Sequence, residues 1–458
     1  MTISPRHIAV IDIGKTNAKL ALVDRAVMVE LAVLTRPNTV LPGPPYPHFD
    51  TEGHWAFLLA GLKQFQASHG VDGISITTHG ACTAMLAADG SLATPVLDYE
   101  DAGPAETAAD YTSLRPDFAL TGSPRLGNGL NLGAQLHWLL ARDPGLLART
   151  SVIVTWPQYW GYRLTGKMAC DLPSLGCHTD LWEPGANRFS SLVASLGVQS
   201  KIAPPKHPGD VLGTVLAAIS DQTGLNQNTP VVCGIHDSNA SLLPHLLTQT
   251  APFGVVSTGT WVVCMAIGGN PPDLHANRDV LVNVAADGRA VPSARFMGGR
   301  EYDLHRSGQI DQPTLAHEIA ALGAGLMLWP SVVPEGGPFP GRKSEWNLAH
   351  SQFDNGTLDA ALAFYLALMT AECLRLAGAT GPVIVEGPFA ANPAYCRMLS
   401  AATDRRVLRA ASQTGTSIGA ALLFGAPDLP PPLIEMPQAA NLADYERYAK
   451  VWHAAVTA

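Results

Sequence analysis

The chain has 458 residues, of which 47% are hydrophobic and 15% charged; this excludes an intrinsically disordered chain and, at that length, predicts two domains rather than one core. The formal net charge of −9 argues against a nucleic-acid or anionic-membrane partner. Seven scattered cysteines read as reduced thiols of a cytoplasmic protein, and neither a signal peptide nor a charge-free membrane span is expected.

Ile8 to Asp24 opens as an apolar run, breaks at Gly14 and resumes as alternating apolar residues. That pattern predicts two strands joined by a tight turn. Asp12 ends the first strand, and Gly14 and Thr16 occupy the turn. Outward backbone amides beside a hydroxyl can hold phosphate oxygens, and a nearby carboxylate can hold magnesium, usually through water. Gly14-Lys15-Thr16 is not a P-loop, because Ala9 stands where that motif needs glycine and a strand pattern follows. An ordinary surface hairpin is the plain alternative.

Val27 to Leu34 continues the meander, and Pro37 to Pro47 is expected to be a loop. His54 to Ser68 has helical spacing. Gly73 to Thr78 reads as a buried strand ending at His79-Gly80, and ligands bind at the carboxyl ends of such strands. Ala84 to Leu97 is expected to turn at Ala88-Asp89-Gly90 and lead into Tyr99-Glu100-Asp101. Leu130 to Arg142 is a helix, Val152 to Val154 a strand, and Trp156 to Gly166 an aromatic-rich helix. Its rings suit either a sugar face or a core. Cys170, Cys177 and His178 lack a fourth metal ligand at familiar spacing and read as packing.

The strand Val231 to Cys233 delivers Asp237 to the start of a helix running to Leu247. An Asp there suits an N-cap and also a base beside an attacking hydroxyl. Pro244 to Pro252 marks a boundary, giving domains 1–246 and 247–458. Val255 to Val263 is a second strand-turn-strand, with Thr258-Gly259-Thr260 at its tip. Phe296 to Glu301 is a charged glycine turn directed at a cleft. Leu358 to Ala377 is a long apolar helix. Then come a strand at Pro382 to Glu386, a loop at Gly387 to Asn392, a strand at Arg405 to Leu408 and a small-residue helix at Thr414 to Leu423. Pro427 to Pro437 is irregular, and Ala440 to Val456 a final helix.

Two hairpins with hydroxyl-bearing glycine tips, an Asp at a helix start between them and a glycine-containing loop near the end stand in a characteristic order. The whole chain resembles the FGGY carbohydrate kinases of the actin-like ATPase superfamily. The resemblance implies an α/β fold of two actin-like (ribonuclease H-like) domains with a central cleft, ATP and Mg2+ as cofactors, a small sugar as substrate and, as one option, a homodimer. It implies Asp237 as catalytic base and Asp12 as the metal-positioning carboxylate. Gly14, Lys15, Thr16, Asn17, Thr258, Gly259, Thr260, Gly387 and Asn392 fall in the nucleotide motifs, with Phe389 beside the adenine. His79, Gly80, Asp101, Gln158 and Trp156 fall on the sugar side, with Asp237. Lys15 stands where the family most often has Thr, and is expected near the phosphates, a salt bridge elsewhere being the alternative. Gly103 stands where Arg is common. Ser257 to Trp261 is similar to the form in L-fuculose and L-rhamnulose kinases, which implies a deoxyketose phosphorylated at its primary hydroxyl; a pentulose or four-carbon ketose is the alternative. Two other classes fit less of the chain: a kinase-derived binding regulator without turnover, and an actin-like or chaperone-like ATPase lacking His79 and Asp101.

Overall fold

The computed structural model describes residues 5–308, 312–410, 415–426, 432–436 and 438–457. The chain divides into two units, the first formed by residues 1–248, 282–290 and 414–430 and the second by the remainder. Thus 282–290 and 414–430, which a simple cut at 246 assigns to the second domain, belong to the first unit.

In the first unit, β1 (His7–Ile13), β2 (Asn17–Asp24) and β3 (Val29–Pro37) form an antiparallel meander. β1 is apolar and buried from Ile8 to Ile11 because strands flank it on both sides, whereas β3 alternates exposed and half-buried residues, as an edge strand does. β4 (Gly73–Thr78) lies parallel to β1 and is fully buried. β5 (Val211–Thr214) and β6 (Pro230–Val232) complete the order β5-β6-β4-β1-β2-β3, and the short β7 (Ile235–His236) also pairs with β4. The register sets Asp12 opposite Thr77 on one side of β4 and Ile235 opposite the same Thr77 on the other. Around the sheet run α1 (Thr51–Ser68), capped by Asp50, α2 (Leu132–Arg142), α3 (Trp156–Thr165) and α4 (Asp237–Thr248).

The second unit repeats this plan. β8 (Phe253–Thr258) and β9 (Val262–Ile267) form the hairpin, and β12 (Val383–Glu386) lies parallel to β8 as β4 does to β1. With β10 (Val280–Val284, of which 280–281 fall in this unit), β11 (Ala290–Phe296, in this unit from 291), β13 (Val407–Ala410) and β14 (Leu433–Glu435) the order is β10-β11-β9-β8-β12-β13-β14. Its central helix, α5 (Asn355–Leu376), is long and apolar enough to cross a membrane, but 89% of that stretch is buried inside the fold, as for a core helix.

Two local expectations need amending. The chain does turn at Ala88-Asp89-Gly90, where Ala87 N–H donates to Ser91 O at 2.8 Å and Ala93 N–H to Met85 O at 2.8 Å, but the named strand Thr83–Leu86 pairs with Val152–Thr155, and across the turn a single bridge joins Leu86 and Leu92. The Pro-rich loop contains a two-residue ladder of Val40–Leu41 with His48–Phe49, because its prolines sit outside the paired positions. Of the segments expected to be irregular or helical near the end, Thr414 and most of Pro427 to Pro437 lie outside the described residues.

The helix Thr416–Ala421 packs on α4, with Ala420 and Ala421 in one apolar cluster with Ala240. A Cβ on Gly419 would run into the carbonyl of Ala240. Gly419→Ala is expected to cost about 1–3 kcal/mol of unfolding free energy, read from the urea midpoint. An unchanged midpoint would mean that the two helices separate freely.

Candidate active site

The first hairpin closes where Gly14 N–H donates to Asn17 O at 2.9 Å, leaving Thr16 and Asn17 exposed at the tip. Asn38 holds this tip from beneath. Its N–H donates to Thr16 O at 2.9 Å and its Nδ2 to Gly14 O at 2.8 Å. His54 Nε2 donates to Asn38 Oδ1 at 2.6 Å, which leaves Nδ1 to accept from Arg36 at 2.9 Å. Burial pushes His54 down to about 4, so the ring is neutral, as that bonding pattern requires. No sequence motif marks Asn38 or His54.

Asp12 and Asp237 come together at the carboxyl ends of strands on either side of β4. Burial, with the negative charge of Asp237 adding to it, pushes Asp12 up to about 6, while a hydrogen bond from the Thr416 hydroxyl works against the rise. Thr416 reads in sequence only as a small residue of a packing helix. Asp237 is also raised by burial, opposed by His79 and by bonds from Ser238. Its Oδ1 accepts from Ser238 N–H at 2.6 Å and from Ser238 Oγ at 3.3 Å. Among the described residues its Oδ2 has no hydrogen-bond donor, and 30% of the side chain is exposed. His236, to which the sequence assigns no role, lies with Nε2 3.5 Å from Asp237 Oδ1 and 3.6 Å from Cys177 Sγ. Burial holds its ring neutral, near 4. A Cβ on Gly80 would sit 2.6 Å from that Nε2, so Gly80 gives His236 its place.

The expected sugar side separates into residues that are spent and residues that are not. Gln158 is spent: Nε2 donates to Cys233 O at 2.8 Å and Oε1 accepts from Thr155, with the side chain fully buried. It braces the strand ahead of Asp237 rather than facing a ligand. Asp101 Oδ1 accepts from Gly103 N–H at 2.7 Å, and the residue lines a separate cavity with Tyr46, Trp138 and Arg142. His79 is 6% exposed; its Nδ1 donates to Gly80 O at 2.7 Å and its Nε2 has no protein partner among the described residues. Burial pushes this ring down to about 4, leaving Nε2 a neutral acceptor. Trp156 is 1% exposed, and its Nε1–H is likewise unpartnered. Lys15, expected beside the phosphates, is instead paired with Asp98 and, at 3.1 Å, with Glu100. Asp98 was missed; its only sequence signal is its place three residues before Asp101.

In the second unit the Thr258 hydroxyl donates to Glu386 O at 2.5 Å and accepts from Phe389 N–H at 3.1 Å. It ties the second hairpin to the loop after β12. Gly387 has φ +80°, and a Cβ there would strike Thr258 O. Gly259 and Thr260 are exposed at the tip. Asn392 Oδ1 caps the helix Pro393–Thr403 by accepting from Tyr395 N–H at 3.2 Å. Phe389 is buried against Tyr302 and Tyr395 in the core, not open beside a base. Glu301, expected in a charged turn directed at a cleft, is instead buried and accepts from Tyr365 OH at 3.0 Å, and burial pushes it up to about 7.

A repeated α/β plan, each copy carrying a hairpin with an open tip, and a carboxylate at a helix start define the class of actin-like two-domain kinases. Residues 7–244 match the N-terminal domain of the FGGY family of carbohydrate kinases, and residues 250–431 match the C-terminal domain of carbohydrate kinase FGGY; the chain belongs to this family. A carbohydrate kinase from Novosphingobium aromaticivorans is similar at 37% identity, with 99% of each chain covered and a TM-score of 0.92. The xylulose kinase from Rhodospirillum rubrum shares the fold at 19% identity and a TM-score of 0.80, covering 99% of this chain and 98% of that one. The L-fuculokinase of Salmonella typhi is 25% identical over 272 residues, a stretch that spans 57% of this chain and 57% of that protein.

The neutrality of His79 has a thermodynamic consequence. Below the ordinary histidine pKa of about 6.5 the unfolded chain takes up a proton here that the native state refuses down to about 4. Stability contributed by this ring is present at pH 7 and lost as pH falls. Relative to His79→Asn, the wild type is expected to lose about 2 kcal/mol between pH 7 and pH 5, measured by urea unfolding. A difference that does not change with pH would mean that the native ring protonates freely.

Proposed function

We propose that the protein transfers the γ-phosphoryl group of ATP to a primary hydroxyl of a small ketose. The observation that carries this reading is Asp237: one carboxylate oxygen is anchored by Ser238, and the other has no donor among the described residues. A base that removes a hydroxyl proton needs such an oriented, unspent oxygen. Its raised proton affinity suits the role, since a strongly acidic carboxylate would be a poor acceptor.

In this reading Asp237 Oδ2 takes the proton as the sugar oxygen bonds to the γ-phosphorus and the bond from that phosphorus to the ADP oxygen breaks. His79 Nε2 accepts a hydrogen bond from a second sugar hydroxyl. Gly80 lets His236 stand behind Asp237. Thr16, Asn17, Gly259 and Thr260 present tip amides and hydroxyls to phosphate oxygens. Thr258, Gly387 and Asn392 hold the backbone from which the second set is presented.

Magnesium fits the residues present. The charge of Asp237 raises the proton affinity of Asp12, and the nearby Lys19 is engaged with Glu30 at 2.7 Å. Among the described residues no group of three or more His, Cys, Asp or Glu side chains could hold a metal without help, which suits an ion carried mainly by phosphates and water. Asp12 would hold it, and when bound it neutralises charge on phosphate oxygens. Deoxyketoses of the L-fuculose and L-rhamnulose type lead the candidate substrates, followed by pentuloses. Seven buried cysteines, none of them in a disulfide, are compatible with a cytoplasmic setting.

ADP release from magnesium-ATP across a panel of ketoses and polyols tests the reading. One sugar is expected to drive release, and Asp237→Asn to lower kcat by roughly 10²–10⁴-fold with KM for ATP nearly unchanged. Release that needs no sugar would replace this reading with an ATPase. ATP binding without release would replace it with a regulator.

A further inference from the structure

We propose that Lys15, Asp98 and Glu100 form a net-negative clamp that restricts the acceptor site to uncharged sugars, an inference that rests on the kinase reading above. Lys15 leaves the first hairpin tip, and its ammonium pairs with Asp98, whose side chain is 8% exposed, and with Glu100, whose side chain is 62% exposed. The same ammonium lies 4.9 Å from the Tyr99 ring centre and 5.4 Å from that of Phe49. Both rings pack on His79, at 5.1 and 5.3 Å between centres. Phe49 also stacks on Trp156 at 6.0 Å. Lys15 is therefore part of the wall that carries His79 and Trp156.

The unspent polar atoms of that wall are an acceptor, His79 Nε2, and a donor, Trp156 Nε1–H, and neither is charged. They match a hydroxyl and a hydroxyl or carbonyl oxygen. A carboxylate would need a cation, and the cation present already faces two carboxylates, with Asp237 a third nearby. Position 103 is glycine and supplies no second cation. A sugar acid entering here meets net negative charge, and like-charge juxtaposition rejects it. The aromatic wall around Phe49 and Tyr99 tolerates the carbon chain of a neutral ketose. Lys15 is thus a specificity residue of the sugar side and does not serve the phosphates.

The test is kcat/KM on a panel of ketoses and aldonates, gluconate among them, for the wild type, Glu100→Gln, Asp98→Asn and Lys15→Met. The wild type is expected to favour ketoses. Glu100→Gln and Asp98→Asn each release positive charge, and the aldonate-to-ketose ratio is expected to rise roughly tenfold. Adding Lys15→Met to either should cancel the gain. Lys15→Met alone should raise KM for the sugar more than KM for ATP. Glu100 is exposed, so Glu100→Gln reads the charge even if Asp98→Asn unfolds. A ratio unmoved in Glu100→Gln and in folded Asp98→Asn, a wild type that takes aldonates as well as ketoses, or a Lys15→Met defect confined to KM for ATP would each overturn the clamp while leaving the kinase reading intact. No turnover of any sugar would remove both.

Discussion

Two carboxylates of like charge, Asp12 and Asp237, are held near one another in partly buried positions, and much of the first unit serves to keep them there. Their backbones are fixed by the sheet: Asp12 is opposite Thr77, and the strand leading to Asp237 lies on the far side of the same residue. Adjacent strands stand about 4.8 Å apart, so the two chain positions are separated by roughly twice that distance. Hydrogen bonds compensate each acid separately, Thr416 for Asp12 and Ser238 for Asp237. Neither receives a full counter-charge. Burial keeps both groups basic, with the charge of Asp237 adding to the rise at Asp12, and the arrangement is costly unless a cation or a proton completes the set.

The open tip of the first hairpin depends on a relay that begins outside it. Asp50 both caps α1 and pairs with Arg36; Arg36 orients His54, His54 orients Asn38, and Asn38 holds two carbonyls of the turn. Each member is specified by the bonding demand of the next. The turn can therefore keep polar residues at its tip without collapsing onto them. In the second unit the same task falls to Thr258, which bonds across to Glu386 and Phe389. One hairpin is braced by a chain of side chains and the other by a single hydroxyl.

The strands and long helices were readable from the chain because period and burial agree. Gly73–Thr78 matches its expected span, and the apolar run of β1 betrays a central strand. Residues at a strand end or a helix start were legible as such, as with Asp12, His79 and Asp237. Long side chains were not legible in this way. Asp101 satisfies itself on backbone two residues on and Gln158 on a carbonyl 75 positions away, and nothing in local sequence says that they do. Lys15 reaches a partner 83 positions away. Such a pairing is set by the tertiary fold, and a turn pattern carries no information about it. Phe389 misled for a related reason, since an aromatic residue in a glycine-bounded loop is as easily core as ligand wall.

The donor to Asp12 comes from residue 416, which belongs to the first unit although most of the preceding 160 residues belong to the second. A proteolytic or recombinant fragment ending at residue 248 would contain both acids and the His79 and Trp156 rings and still lack the Thr416 hydroxyl that bonds Asp12. The site is therefore not the property of one gene half. Shuffling N- and C-terminal halves among relatives would exchange this hydroxyl along with the second unit, and would alter the acidity of Asp12 without any change to the sequence around it.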